Sequence, residues 1–146
     1  MILLVSACHM GYVFNEVEKI PEGKWNKNNI IEYNVPVRDT LNGYDIQIQL
    51  RNDFKYNYRN IWMFIETSAP NGNVLRDTVE FFLANQSGKW LGKGLGNVNE
   101  MVLDYKKNIR FPVSGIYHFK IEQAMRTDEL ESIMDVGLRI SKTKFK

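Results

Sequence analysis

The chain has 146 residues, the length of a single domain, and at that size a core forms without a metal or disulfide staple. Apolar residues at 44% and charged residues at 25% exclude wholesale disorder and a multi-span membrane protein. Lys plus Arg is 19 and Asp plus Glu is 17, and a net charge of only +2 argues against a dedicated nucleic-acid binder.

The only cysteine, Cys8, excludes an intramolecular disulfide. It closes the run Leu4-Val5-Ser6-Ala7-Cys8. An apolar residue, two small residues and then Cys, at the very start of a chain, form the pattern of a bacterial lipobox. Small residues let a peptidase approach the backbone, and Ile2 to Val5 reads as the tail of a signal h-region. The Cys8 thiol would carry diacylglycerol and its freed amine a further acyl chain, which together make anchoring stable. Only seven residues precede Cys8 and none is basic, so the start site is expected to lie further upstream. The competing reading is a frayed cytosolic tail with an incidental cysteine.

A tether is expected from His9 to about Glu22, in which Tyr12, Val13 and Phe14 form a small strand or pack onto the domain. Strands separated by turns follow. Ile31, Tyr33, Val35 and Val37 alternate with polar positions, and Pro36 predicts an edge strand or a bulge. Asn42-Gly43 is a hairpin signal. Tyr44, Ile46, Ile48 and Leu50 alternate as a half-buried strand. Ile61 to Thr67 is more continuously apolar and reads as a central strand, with Trp62 in the core. Pro70-Asn71-Gly72-Asn73 is a turn, and Val79, Phe81 and Leu83 alternate after it.

Gly88, Gly92, Gly94 and Gly96 predict an irregular stretch from Ser87 to Asn97. A strand of uncertain register lies within Met101 to Phe111, then Pro112 to Gly115 turns the chain. Tyr117, Phe119 and Ile121 form one strand, and Val136, Leu138 and Ile140 another. Between them, Asp128-Glu129-Leu130-Glu131 has capping-box spacing and predicts one short helical turn. Lys142, Lys144 and Lys146 read as a solvated end.

The expected fold is all-β: an antiparallel sandwich, jelly-roll or Ig-like, of about eight strands with at most one short helix. Residues 1–7 are read as the remnant of a lipoprotein signal peptide, 8–22 as the lipidated N-terminus and tether, and 23–146 as the sandwich domain.

Catalytic and cofactor patterns are weak, and no cofactor or metal is expected. His9 and His118 have no metal-ligand spacing. Asp128 to Asp135 lacks the alternating ligands and central glycine of a calcium loop. No G-x-S-x-G is present, and the glycine stretch lacks G-x-x-x-x-G-K-[ST]. Asp77 with Glu80 is the kind of pair that a two-carboxylate glycosidase would need. Arg51, Lys55 and Arg59 interleave with Tyr56 and Tyr58, a pattern that binds single-stranded nucleic acid in other settings and that an envelope location disfavours. Trp25, Tyr56, Tyr58 and Trp90 are the candidate contacts for a glycan or a protein partner.

Several stretches carry a family resemblance. They are Glu22-Gly23-Lys24-Trp25, Leu50-Arg51-Asn52, Tyr56-Asn57-Tyr58-Arg59-Asn60-Ile61-Trp62, Asp77-Thr78-Val79-Glu80 and Gly88-Lys89-Trp90-Leu91-Gly92. Gly115-Ile116-Tyr117-His118-Phe119, Ile121-Glu122-Gln123-Ala124-Met125-Arg126 and Asp135-Val136-Gly137-Leu138-Arg139-Ile140 complete the set. In order and spacing the chain resembles the gliding-motility lipoprotein family GldH of Bacteroidetes.

The resemblance implies a lipid-anchored, periplasm-facing or outer-membrane-associated protein. It would serve an envelope machine of gliding motility that overlaps with the phylum's protein-secretion system. It implies no enzyme activity, and lipidation is the one property it carries to a residue, Cys8. Asp39-Thr40-Leu41 and Asp77-Thr78-Val79 resemble O-glycosylation triplets of that phylum, with Thr40 the favoured site. His9-Met10-Gly11-Tyr12 lacks the acidic pair that resembles a surface-export signal, which favours a periplasm-facing location. The expected partners are the membrane through Cys8 and other gliding or secretion proteins of the envelope. The alternative is a glycan-binding sandwich module.

Overall fold

The computed structural model describes residues 12–144, so the lipobox and Cys8 lie outside the described residues. The strands are β1 (Tyr12–Lys19), β2 (Lys24–Asn26), β3 (Ile31–Val37), β4 (Tyr44–Asp53), β5 (Asn60–Ser68) and β6 (Val74–Phe82). They continue as β7 (Lys93–Leu95), β8 (Val98–Ile109), β9 (Gly115–Gln123), β10 (Glu129–Glu131) and β11 (Ile133–Lys142). Eight of these have seven residues or more, and a 3₁₀ turn, Pro21–Gly23, is the only helical element among the described residues. The all-β sandwich expected from alternation is what forms.

One sheet has the order β1-β11-β4-β8-β7 and the other β3-β9-β5-β6, with β2 and β10 forming a separate ribbon. Every pairing is antiparallel. Ile46, Ile48 and Leu50 of β4, with Val136, Leu138 and Ile140 of β11, are buried against Tyr33, Ile61, Met63, Ile65, Phe119 and Ile121 of the facing sheet. Each such aliphatic burial contributes roughly 1.5–3 kcal/mol. The Tyr33 hydroxyl donates to the Val136 carbonyl at 2.7 Å, a polar tie between the sheets. Burial lifts the Tyr33 phenol well above its usual range.

Pro36 sits in β3, an edge strand, where its missing N–H faces no neighbour. Pro70 to Asn73 makes the β5–β6 hairpin, closed by Ala69 N–H donating to the Asn73 carbonyl at 2.8 Å, with Gly72 at φ +90°. β5 lies between β9 and β6, as its apolar run predicts.

Three expectations fail and a fourth holds only in part. Tyr12 to Phe14 form a strand and pack onto the domain, with Phe14 edge-on to Tyr33 at 5.8 Å, but the strand runs on to Lys19 along β11, so Tyr12–Lys19 is an edge strand of the sandwich rather than a tether. The Asn42-Gly43 turn makes no hairpin, because β3 and β4 belong to different sheets and neither turn residue has positive φ. Asp128 to Glu131 forms no helical turn, because Glu129–Glu131 pairs with Lys24–Asn26 and buries Leu130 opposite Trp25. The stretch from Ser87 to Asn97 is not wholly irregular, since Lys93–Leu95 pairs back onto β8 through a turn at Gly96 (φ +60°).

The sandwich has two distinct poles. At one, the N-terminal pole, lie Tyr12 opposite Ser141, Tyr44 opposite Ile109, Val37 opposite Gly115 and Ser68 opposite Val74. At the other, the loop pole, lie Lys19 opposite Asp135, Asp53 opposite Val98, Ile31 opposite Ile121 and Asn60 opposite Phe82.

Candidate functional site

The loop pole is built on a buried amide pair. Asn52 and Asn99 are both fully buried, and Asn99 Nδ2 donates to Asn52 Oδ1 at 3.1 Å. Asn99 Oδ1 accepts the Gly92 N–H at 3.0 Å, which pins the glycine-rich loop to β8. A Cβ at Gly92 would lie 2.2 Å from the Glu100 carbonyl oxygen, so the loop approaches the strand at a distance only glycine allows. Asn99→Ala leaves the half-buried Gly92 N–H and the buried Asn52 Oδ1 without their partners, while Asn52 Nδ2 keeps its bond to the Asp53 carbonyl. A loss of about 2–3 kcal/mol is expected in urea unfolding, with the m-value retained.

A second buried amide organises the opposite side of the pole. Gln123 Nε2 donates to the Thr127 carbonyl at 2.9 Å, and its Oε1 accepts the Met125 N–H at 2.8 Å. This fixes Ala124 to Arg126 beside β5, where the Ala124 N–H donates to the Trp62 carbonyl at 2.8 Å.

On this frame the loops present aromatic rings. Phe54, Tyr58, Trp62 and Phe82 are the exposed aromatic side chains among the described residues, and all four lie at the loop pole. Phe54 stacks on half-buried Trp90 with centroids 6.1 Å apart and planes 13° off parallel. Tyr58 meets Tyr56 edge-on at 5.6 Å. The Arg59 guanidinium lies 5.3 Å over the Phe82 ring. Tyr58, Asn60, Trp62, Ala124, Met125 and Arg126 line a cleft of about 550 Å³. The loop pole thus groups exposed rings with cations and side-chain amides around one cleft.

The sequence-predicted contacts divide. Tyr58 is 45% exposed and Trp90 half-buried, and the fold brings both to this surface. Trp25 is fully buried, its Nε1 donating to the Asn29 carbonyl at 2.9 Å, so its ring belongs to the core. Tyr56 is buried too, its hydroxyl donating to the Asn60 carbonyl at 2.8 Å, and burial pushes its phenol above the usual range. Trp62, expected in the core, is 38% exposed, because Ile61, Met63 and Ile65 take the inward positions of β5. Phe54, Phe82 and Met125 were not anticipated. The β6 alternation already set Phe82 on the face of Glu80, opposite buried Phe81 and Leu83.

Asp77 and Glu80 are three apart on one strand and therefore point to opposite faces. Asp77 accepts from the Tyr105 hydroxyl at 2.5 Å and lies 3.2 Å from Lys106 Nζ, while Glu80 accepts from Asn60 Nδ2 at 2.7 Å. They do not share a cleft and so are not placed as the carboxylate pair of a glycosidase. The Tyr105 hydrogen bond, then Lys106, hold the Asp77 carboxyl below the ordinary aspartate range. A depressed carboxyl stabilises the fold above the unfolded pKa of about 3.9, and that contribution disappears as pH falls through the lower folded value. Urea midpoints measured from neutral to acid pH are expected to fall less steeply in Tyr105→Phe than in wild type. Among the described residues no group of three or more His, Cys, Asp or Glu is placed to hold a metal ion.

Comparison with known proteins gives a consistent result. The chain matches the GldH lipoprotein family over residues 12–140. It is 39% identical to the gliding motility lipoprotein GldH homolog of Christiangramia forsetii, over 97% of this chain and 91% of that protein. It is 30% identical to the gliding motility lipoprotein GldH of Flavobacterium johnsoniae, over 94% and 89% respectively. The chain belongs to the GldH lipoprotein family.

Proposed function

We propose that this member of the family is a non-catalytic, periplasm-facing protein tethered through lipid on Cys8, and that its loop pole holds another protein of the gliding and secretion apparatus. The observation that carries the reading is the gathering of the exposed rings Phe54, Tyr58, Trp62 and Phe82 at one end of a sandwich whose chain enters at the other. Monomeric proteins seldom leave such groups bare unless a partner covers them.

A glycan platform is less well supported. Sugar stacking needs open, coplanar ring faces, yet Phe54 covers Trp90, Arg59 covers Phe82, and Tyr56 and Tyr58 stand 72° apart. The soluble domain is therefore expected to give no hit on a broad glycan array. A saturable, reproducible hit weakened by Trp62→Ala would reverse that preference.

The anchor is tested by metabolic labelling with a fatty-acid probe. Wild type is expected to take up label and fractionate with envelope membranes. Cys8→Ala is expected to lose the label and appear in the soluble fraction. Equal labelling of the two proteins would remove the anchor.

A further inference from the structure

The N-terminal pole differs in chemistry from the loop pole. β1 begins there, with Tyr12 opposite Ser141. Cys8 precedes Tyr12 by four residues, a reach of at most about 14 Å. The ten residues of β11 separate the poles by roughly 30 Å. A lipid carried by Cys8 would therefore keep the bilayer within about 14 Å of the start of β1 and could not bring it to the loop pole.

What this pole presents fits that neighbour. The linker from β3 to β4 carries Leu41 at 82% exposure, the highest of the large apolar side chains described. Its turn is fixed, because the Asp39 carboxylate accepts the N–H groups of Leu41 at 2.8 Å and Asn42 at 3.2 Å. Arg38, Arg110, Lys142 and Lys144 are exposed around it. Among the described residues no carboxylate lies within salt-bridge distance of Arg38, Arg110 or Lys144, and Lys142 approaches Asp39 at 3.7 Å. Asp45, the other acid of this pole, is half-buried on the outer face of β4, where its Oδ1 accepts the Asn108 N–H at 2.9 Å and the Thr143 hydroxyl at 2.7 Å.

We propose that the N-terminal pole is a membrane-seating surface: its cationic ring rests on an anionic lipid headgroup layer and Leu41 enters the acyl boundary. The domain then stands upright, with the aromatic loops roughly 30 Å above the bilayer, where a partner reaches them. The height follows from the anchored reading of Cys8, whereas the lipid preference of the surface is independent of it.

The test uses the full chain carrying Cys8→Ala, so that no covalent lipid contributes. At low ionic strength it is expected to bind vesicles of phosphatidylglycerol and phosphatidylcholine at least about tenfold better than pure phosphatidylcholine. Arg38→Glu, Arg110→Glu and Lys144→Glu together are expected to abolish the preference. Equal binding to both vesicles, or a preference that survives the triple change, would overturn the proposal. Leu41→Trp adds a positional readout. The native tryptophans Trp25, Trp62 and Trp90 all lie at the loop pole, so brominated acyl chains are expected to quench only the introduced indole. Quenching of the native emission instead, or of none, would place the contact elsewhere. Failure of Cys8 labelling leaves these results unchanged, so the two readings fail separately. A glycan on Thr40 in the natural protein, seen by intact mass, would also overturn the seating, because it would stand between Leu41 and lipid.

Discussion

Trp25→Ala is expected to lower the unfolding free energy by about 3–5 kcal/mol, the cost of removing a fully buried large aromatic side chain. The indole has no exposed surface, lies opposite Leu130 in the β2–β10 ribbon, and donates to the Asn29 carbonyl. Its removal opens a cavity where that ribbon closes the loop pole and leaves the Asn29 carbonyl without its donor. A fall in Tm of more than about 10 °C should accompany the loss. Thermal and urea unfolding of the soluble domain measure it, and Trp25→Phe should recover part of it. A change within about 1 kcal/mol would mean that the ring is a surface contact after all.

Trp62→Ala should show the opposite pattern. The ring is 38% exposed and its loss should cost less than about 1 kcal/mol of stability. Its expected effect is on association. A ring at the centre of a partner contact contributes about 2–4 kcal/mol, so affinity should fall roughly thirtyfold to a thousandfold. Ile116→Ala is the control, since Ile116 is 55% exposed at the N-terminal pole. Titration of the soluble domain against its captured partner measures both. Equal weakening by the two substitutions, or none by Trp62→Ala, would remove the loop pole as the contact.

β3, β4 and β9 are legible in the sequence because each alternates cleanly and local burial decides its face. Ile46, Ile48 and Leu50 or Tyr117, Phe119 and Ile121 announce themselves this way. β1 was hidden because its second half, Glu16 to Lys19, has little apolar content and is held by the ladder to β11 rather than by side-chain burial. Asn42-Gly43 misled because a turn signal does not encode which sheet the next strand joins. Asp128 to Glu131 satisfies a local capping pattern, yet its strand is imposed by Lys24–Asn26, about a hundred residues earlier.

Part of this surface is legible in the sequence. Tyr58 and Trp90 stand out as aromatic residues in loop segments, and the fold brings both to the loop pole. Trp62 was assigned to the core on hydrophobicity, although its parity against Ile61 and Met63 pointed outward. Tyr56 was expected on the surface because nothing local shows that its hydroxyl meets the Asn60 carbonyl. The gathering of Phe54, Trp62 and Phe82 at one pole depends on the register of three strands, which no single segment reveals.

Site-specific photocrosslinking in native envelope decides whether the proposed contact at the loop pole exists, with the reactive group placed at Tyr58 in one strain and at Ile116 in another. A discrete crosslink is expected from Tyr58 to one protein of the gliding or secretion apparatus, lost when Phe54→Ala and Phe82→Ala are added, and no such product from Ile116. No crosslink from Tyr58, or the same product from both positions, would refute the proposed contact.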